Sequence, residues 1–258
     1  MTTRTTTGRL ILVPCPLDFG IDDANTDLRS SLPEHNIASA AQLTHWVAEN
    51  AKSARAFLKR VHGIYPLAKP LQDIAIRELP RPNKGRGSEV QHSTHWQELL
   101  QPCLQGQDLG LISEAGMPAI ADPGAQLVAQ AHQLGIEVQP MSGPCSLLLA
   151  LAASGLNGQS FAFVGYLPVE ADSRTARLKQ LEQRSMQEQQ TQLIIETPYR
   201  NGALLQALLS TLRPGTRLSV SHGLSTEHAR TLSGTVVQWR QRSWNIPDKV
   251  PAVFGLLG

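Results

Sequence analysis

The sequence contains few cysteines, few aromatic residues and no apolar run of membrane-spanning length. Its three cysteines, Cys15, Cys103 and Cys145, are too few and too scattered for a disulfide framework or a zinc site. The apolar run at residues 147–153 is much shorter than the roughly 20 residues that a transmembrane helix needs. These scarcities argue against a disulfide-rich secreted domain and against a membrane-spanning helix, and they predict a cytoplasmic protein.

The charge balance does not identify a partner. Lys and Arg number 23 and Asp and Glu 21, a net charge of +2, whereas proteins that bind nucleic acid mainly through its phosphates show a clear basic face. The basic residues gather most visibly around one Pro- and Gly-rich loop, at Arg77, Arg81, Lys84 and Arg86. With 41% hydrophobic residues the chain can bury a sizeable core, and only the Thr-rich residues 1–8 are predicted to be a disordered tail.

Short apolar runs alternate with helix-like segments through the first half of the chain, a pattern typical of a parallel sheet. The predicted strands are residues 10–13, 74–76, 109–112 and 136–138. The clearest helix follows Asn50, a favourable N-cap, and carries apolar residues at 54, 57, 58 and 61, which lie on one helical face.

The second half of the chain differs near its end. Residues 230–239 and 250–257 both resemble strands with no helix predicted between them, which indicates a mixed sheet. The sequence therefore predicts an α/β protein of two domains. Residues 9–140 form the first, with a mostly parallel sheet, and residues 141–258 form the second, with a mixed sheet.

Four loops rich in Gly, Pro and Ala follow predicted strands. They read VPCPLD (13–18), SEAGMPAIADPG (113–124), MSGPCS (141–146) and IETPYR (195–200). In open α/β sheets ligands bind beyond the carboxyl ends of the strands, where small residues let the backbone approach the ligand. Each loop alone is better explained as an ordinary turn, but four such loops at the same edge favour a ligand site. In the longest loop, Asp122 and Pro123 are predicted to be the N-cap and first residue of a helix.

Several chemistries lack their sequence signatures. The chain has no G-x-G-x-x-G after its first strand, no G-x-x-x-x-G-K-[ST] and no G-x-S-x-G, which disfavours a Rossmann cofactor site and a serine nucleophile. His92 and His95 have no obvious ligand companions, so we predict no metal site. Cys145 lacks a neighbouring base and is interpreted as a small wall residue.

SEAGMPAIADPG at 113–124 and GPCS at 143–146 together resemble the tetrapyrrole (corrin/porphyrin) methylase superfamily, most closely its branch of small-subunit ribosomal RNA 2'-O-methyltransferases that act on cytidine. Further matches follow in the expected order: SGL (154–156), FVGYLP (163–168), ETPYR (196–200) and PAVF (251–254). The first third departs from that branch, since PLDFG (16–20) and AENAK (48–52) keep only part of its motifs.

The resemblance implies two α/β domains with a cleft between them that binds S-adenosylmethionine, largely through backbone groups. Carried over by position, the cofactor residues are Pro14, Gly116, Met117, Pro118, Ile120, Cys145, Ser146, Thr197 and Gly223. Met117 stands where relatives usually carry Thr or Asp. On this view Gly116→Val abolishes cofactor binding and leaves the fold intact. The resemblance also implies a homodimer.

The implied reaction is methylation of a ribose hydroxyl in ribosomal RNA within the small ribosomal subunit. Glu49 is the first candidate for a general base because it occupies the matching acidic position, followed by Asp18 and Glu114. Cationic residues near the loop at 77–86 and on the helix after Asn50 are candidates for phosphate contacts, though a solvated face explains them equally well. Two alternatives stay open: a methyltransferase of a tetrapyrrole or other small-molecule acceptor, and a cofactor-binding homologue with little activity.

Overall fold

The structure is a computed structural model that describes residues 7–18, 27–80, 95–247 and 249–258. The chain divides into two compact units, Met1–Pro144 and Cys145–Gly258. Residues 1–6 of the predicted tail and the cations Arg81, Lys84 and Arg86 lie outside the described residues.

The first unit is built on a five-stranded sheet in the order β3-β2-β4-β1-β5, in which every pair of neighbours is parallel. The strands are β1 (Leu10–Leu12), β2 (His45–Ala48), β3 (Ala75–Glu78), β4 (Leu109–Ile112) and β5 (Val138–Pro140). Its helices are Glu34–Gln42, Ala51–His62, Gln101–Leu104 and Ala125–Gln133, with further helical turns at Leu28–Ser30, Leu71–Asp73 and residues 95–99.

The helix Ala51–His62 confirms the sequence prediction. Asn50 caps it, since its side chain accepts a hydrogen bond from the Lys52 amide. The buried residues of the helix are Ala54, Phe57, Leu58 and Val61, the face that the apolar spacing predicts.

Sequence reasoning missed the two elements before this helix, the helix Glu34–Gln42 and strand β2. The buried face of Glu34–Gln42 is made mostly of small or polar residues, including Asn36, Ala40 and Ala41, so its apolar spacing is weak. Strand β2 has only four residues, and tertiary pairing with β3 and β4 rather than local pattern defines it.

The second unit contains a five-stranded mixed sheet in the order β6-β7-β10-β8-β9. Strands β6 and β7 are parallel, and the remaining pairs are antiparallel. The strands are β6 (Phe161–Gly165), β7 (Thr191–Glu196), β8 (Arg217–His222), β9 (Arg230–Thr235) and β10 (Ala252–Leu257), and the helices are Ser146–Ser154, Ala171–Glu188, Asn201–Thr211 and Val236–Arg240. A parallel first sheet and a mixed second sheet confirm the predicted α/β class.

The prediction of one strand over 230–239 is wrong in its second half. Strand β9 ends at Thr235, and a short helix, Val236–Arg240, begins there. The cause is a capping box, in which the Thr235 side chain accepts from the Gln238 amide while the Gln238 side chain accepts from the Thr235 amide. Both side chains satisfy amides that a helix start leaves unpaired, so the strand gives way to a helix.

A buried glycine tests how closely the first sheet is packed. A Cβ atom at Gly110 in β4 comes within 2.6 Å of the Trp46 ring, which is 1% exposed. We expect Gly110→Ala to lower the free energy of unfolding by about 1–3 kcal/mol, because the ring has no room to move. Gly202→Ala is the control, since a Cβ there meets nothing within 4 Å. That change should be neutral or stabilising by up to about 1 kcal/mol in urea unfolding. Equal effects for both changes contradict the packing argument.

Candidate functional site

In the first unit, the loops after β1 and β4 are joined by backbone hydrogen bonds. The Cys15 amide donates to the Gly116 carbonyl at 2.9 Å, and the Gly116 amide donates to the Cys15 carbonyl at 3.0 Å. The sequence correctly identifies both loops as neighbours at one sheet edge. It does not reveal that both backbone groups of Gly116 are already occupied by the protein.

Gly116 is needed for the conformation of this loop. Its φ is +70°, a region that favours glycine, and a Cβ there lies 3.1 Å from Leu17 Cδ2 and 3.4 Å from the Pro144 carbonyl oxygen. The space beside Gly116 is therefore filled by Leu17 and Pro144. The expectation that Gly116→Val leaves the fold intact is wrong, because a side chain there strains the backbone and meets neighbouring loops.

The backbone of the segment after Gly116 is not engaged by the described residues outside this loop. The backbone groups of residues 117–121 make no hydrogen bond to any described residue outside this loop. Ala119 and Ala121 both have positive φ angles, 64° and 66°. Such conformations cost on the order of 1–3 kcal/mol each and occur preferentially at binding sites. Among the predicted cofactor residues here, Pro118 is buried, Met117 is half-buried and Ile120 is 44% exposed.

The helix after this loop begins later than the sequence predicts. It starts at Ala125, with Gly124 at the N-cap position and no side-chain cap. The φ of +132° at Gly124 separates Asp122 and Pro123 from the helix. The prediction that Asp122 is the N-cap is therefore wrong, and its carboxylate is available for another role.

Two predicted catalytic acids lie together at the carboxyl ends of β2 and β4. Glu49 directly follows β2, and its amide donates to the Ile112 carbonyl at the end of β4 at 3.1 Å. The Glu114 amide in turn donates to Glu49 Oε2 at 3.2 Å. The Glu114 carboxylate accepts from Asn50 Nδ2 at 3.0 Å and from Ser53 Oγ at 3.3 Å. The parallel pairing of the two strands thus brings acids 65 residues apart into contact.

Asp122 extends this pair into a group of three carboxylates, here called the carboxylate group (Glu49, Glu114 and Asp122). Burial raises the pKa of Asp122 to about 6, the charge of Glu49 adds to the rise, and a hydrogen bond from Ser113 opposes it. Burial also raises the pKa of Glu49, with the Glu114 amide opposing and the Glu114 charge adding. A raised carboxyl pKa suits proton transfer near neutral pH.

Asp18, the other predicted acid, is held differently. Its carboxylate accepts from Arg60 Nη1 at 2.7 Å, and both side chains are largely buried, 23% and 22% exposed. Arg60 was a candidate for phosphate contacts, and the structure directs it to Asp18 instead. Arg77 likewise donates to the Glu98 carbonyl at 2.8 Å, whereas Arg55 and Lys59 are exposed.

The second unit carries the remaining predicted cofactor residues. Cys145 lies at the N-cap position of the helix Ser146–Ser154. Its side chain is buried, which suits a wall residue better than an exposed nucleophile. Thr197 follows β7, and both its amide and its hydroxyl donate to Glu196 Oε1, at 2.8 and 3.3 Å. Gly223 follows β8 with a φ of +62°. Five of the nine predicted residues thus belong to the first unit and four to the second.

Comparison with known proteins identifies the family. Residues 39–238 match the family model described as Tetrapyrrole (Corrin/Porphyrin) Methylases. The chain belongs to this family. The match covers most of both units, so it includes the carboxylate group as well as the loops after β7 and β8.

Curated relatives of this family member carry the name ribosomal RNA small subunit methyltransferase I. The protein from Vibrio cholerae serotype O1 is 40% identical over 116 residues, which is 45% of this chain and 39% of the relative. The protein from Synechocystis sp. is 37% identical over 147 residues, 56% of this chain and 51% of the relative. The chain spans about a third to a half of the length of the curated relatives it matches.

Two solved structures share the fold at low sequence identity. The methyltransferase CobJ aligns with a TM-score of 0.54 at 17% identity, covering 96% of this chain and 94% of that one. Uroporphyrin-III-C-methyltransferase from Thermus thermophilus aligns with a TM-score of 0.50 at 15% identity, covering 97% and 92%. Both similarities concern the arrangement of strands and helices.

Two kinds of feature are not found in the part of the chain that the structure describes. No helix there is long and apolar enough to cross a membrane. Nor do three or more His, Cys, Asp or Glu side chains come together there as ligands for a metal ion. All three cysteines are free and buried.

The conformation of Gly116 leads to a stability prediction that replaces the earlier expectation. We expect Gly116→Ala to lower the free energy of unfolding by about 1–2 kcal/mol, because an L-residue pays this cost for a left-handed φ. Gly135→Ala is a matched control: its φ is +68°, but a Cβ there meets nothing within 4 Å. The cost of the positive φ is common to both variants. If Gly116→Ala loses more unfolding free energy than Gly135→Ala in denaturant unfolding, the difference therefore reports the contact with Leu17. A stable Gly116→Ala protein contradicts the assignment.

The raised pKa of Asp122 predicts a pH-dependent stability. The folded state holds the proton up to about pH 6, against an ordinary pKa of 3.8, so folding binds protons between these values. Stability from this group is therefore full below about pH 4 and is lost as the pH rises through 6. We expect Asp122→Asn to be more stable than the unmodified protein at pH 7 by about 1–3 kcal/mol, after allowance for partial exposure. The two proteins should converge at pH 4, and a constant difference across this range contradicts the assignment.

Proposed function

We propose that this protein is an S-adenosylmethionine-dependent methyltransferase that methylates a 2'-hydroxyl of small-subunit ribosomal RNA. The observation that carries the proposal is the position of Glu49, a half-buried carboxyl with a raised pKa, beside a loop in which the backbone of residues 117–121 makes no hydrogen bond to any described residue outside the loop. Family membership supports the methyl-transfer chemistry, and the names of the curated relatives support RNA as the acceptor.

The residues of the first unit fit the proposed cofactor. Backbone groups of 117–121 are available to bind it, which suits a ligand held by main-chain contacts. The carboxylate group provides negative charge, which suits a cofactor that bears a sulfonium cation. When bound, S-adenosylmethionine supplies a methyl group attached to a good leaving group. The residues we propose for its binding are Pro14, Gly116, Met117, Pro118, Ile120, Cys145, Ser146, Thr197 and Gly223.

The two occupied backbone groups of Gly116 refine this assignment. The Gly116 amide and carbonyl are both hydrogen-bonded to the Cys15 backbone. We therefore propose that Gly116 shapes the loop and that Met117 and the residues after it supply the contacts to the cofactor. This arrangement reduces the importance of a Thr or Asp side chain at position 117, because backbone contacts do not depend on the side chain present.

We propose Glu49 as the general base that accepts the proton of the ribose hydroxyl. Such a base contributes roughly 10²–10⁴-fold, and alignment of the reactants contributes up to about 7–11 kcal/mol. The Glu114 carboxylate is fixed by Asn50 and Ser53, and the Glu114 amide donates to the Glu49 carboxylate, so we assign Glu114 a positioning role. Asp18 is bound to Arg60 and is assigned to loop structure.

We further propose that the protein acts as a homodimer in the cytoplasm, with the small ribosomal subunit as its partner. Three free, buried cysteines support a reducing compartment. Light scattering after gel filtration measures the oligomeric state directly.

Calorimetric titration and a methyl-transfer assay test the proposal together. We expect the unmodified protein to bind S-adenosylmethionine and to methylate undermodified small ribosomal subunits. Glu49→Gln should lower the transfer rate by roughly 10²–10⁴-fold with little change in cofactor affinity, because it removes the base and keeps the size of the side chain. Glu137→Gln, at an exposed acid before β5, is the matched control and should keep full activity.

Each result has a separate meaning. If S-adenosylmethionine does not bind, the proposed function fails. If Glu49→Gln methylates at the normal rate, Glu49 is not the base. If the cofactor binds and only a small-molecule acceptor is labelled, the RNA acceptor is wrong while the methyltransferase chemistry stands.

A further inference from the structure

Two tyrosine side chains in the second unit are unusually exposed. The exposed fraction is 60% for Tyr166 and 80% for Tyr199, in a chain with only three tyrosines. The third, Tyr65, is half-buried and donates its hydroxyl proton to Glu34 at 2.9 Å. Large aromatic side chains at the surface mark binding surfaces more often than smaller apolar ones, because their exposure to water is costly.

Both exposed tyrosines lie at the same edge of the second sheet. Tyr166 directly follows β6, and Tyr199 lies in the helical turn Pro198–Arg200 that follows β7. Strands β6 and β7 are parallel neighbours, so their carboxyl ends share one edge. The motifs FVGYLP and ETPYR, which the proposed function leaves largely unused, therefore place both tyrosines at this edge.

Tyr199 is held out from the sheet by a fixed turn. The buried Glu196 carboxylate accepts from the Thr197 amide at 2.8 Å and from Arg200 at 3.0 Å, one bond on each side of Tyr199. The next residue, Asn201, donates to the Val250 carbonyl at 2.9 Å. These bonds order the turn before any ligand arrives, which reduces the entropic cost of binding to the ring.

The same edge carries cations. Arg230 begins β9 opposite His222, the last residue of β8, and Lys249 comes shortly before β10. Both are exposed, and neither forms an ion pair with a described residue. The exposed acid of the loop between β8 and β9, Glu227, lies within 3.5 Å of His228.

Exposed aromatic rings and cations along one sheet edge match the chemistry of single-stranded nucleic acid. Unpaired bases stack on aromatic side chains, and Arg and Lys contact the phosphates between them. We propose that Tyr166 and Tyr199 form a stacking platform for unpaired RNA bases, with Arg230 and Lys249 contacting phosphates. The proposal rests on the proposed function in that it takes RNA as the acceptor.

Binding of a fluorescein-labelled, unstructured RNA 12-mer to the full chain, followed by fluorescence polarisation, tests the platform. Tyr199→Leu and Tyr166→Leu should each weaken binding about 5- to 100-fold, since a stacked base depends on the aromatic ring. Tyr199→Phe should restore near-normal affinity because it keeps the ring. Tyr65→Leu is the matched control and should bind RNA normally, with folding of every variant checked by circular dichroism.

The outcomes distinguish stacking from its alternatives. RNA affinity unchanged in both leucine variants overturns the platform, and so does failure of Tyr199→Phe to restore binding. A loss of S-adenosylmethionine affinity with RNA affinity intact assigns Tyr199 to the cofactor instead and also overturns it. Tyrosine-dependent RNA binding in a protein that does not bind S-adenosylmethionine supports the platform while the proposed function fails. If the protein binds S-adenosylmethionine and does not bind RNA, the platform is overturned while the binding of the cofactor stands.

Discussion

The parallel pairing of β4 with both β1 and β2 is the constraint on which the candidate site depends. Because the three strands run in the same direction, the loops that follow them emerge at one edge. The backbone hydrogen bonds between Cys15 and Gly116 then fix the loop after β1 against the loop after β4. The hydrogen bond from the Glu49 amide to the Ile112 carbonyl fixes the end of β2 to the end of β4. Residues distant in the sequence thereby share a partly desolvated surface.

Desolvation and like charge act in the same direction within the carboxylate group. Hydrogen bonds favour the charged forms of Glu49 and Asp122, from the Glu114 amide and from Ser113 respectively, yet the pKa values of both carboxyl groups stay raised. The raised pKa values therefore lower the stability of the folded state at neutral pH, and they leave carboxyl groups that can exchange protons. Positive φ angles at Ala119 and Ala121 add to this cost in the same loop.

The edge of the second sheet is organised on a different principle. There the acid Glu196 is fully engaged by the turn that follows it, so it orders the backbone rather than taking part in chemistry. The result is a rigid turn with an exposed aromatic ring. The sequence contains few aromatic residues, and the fold places two exposed tyrosine rings at one edge.

The sequence by itself determined the α/β class, the loops at strand ends, the helix after Asn50 and the family motif, because each of these is a local pattern of apolar spacing or turn residues. Only the tertiary structure decided that His45–Ala48 is a strand and that the backbone of Gly116 is hydrogen-bonded to that of Cys15. It also decided that Asp122 lies with Glu49 in the carboxylate group instead of capping a helix. These features arise from contacts between residues far apart in the chain. Burial and the charge of distant neighbours set a carboxyl pKa, and neither is visible in a local pattern of residues.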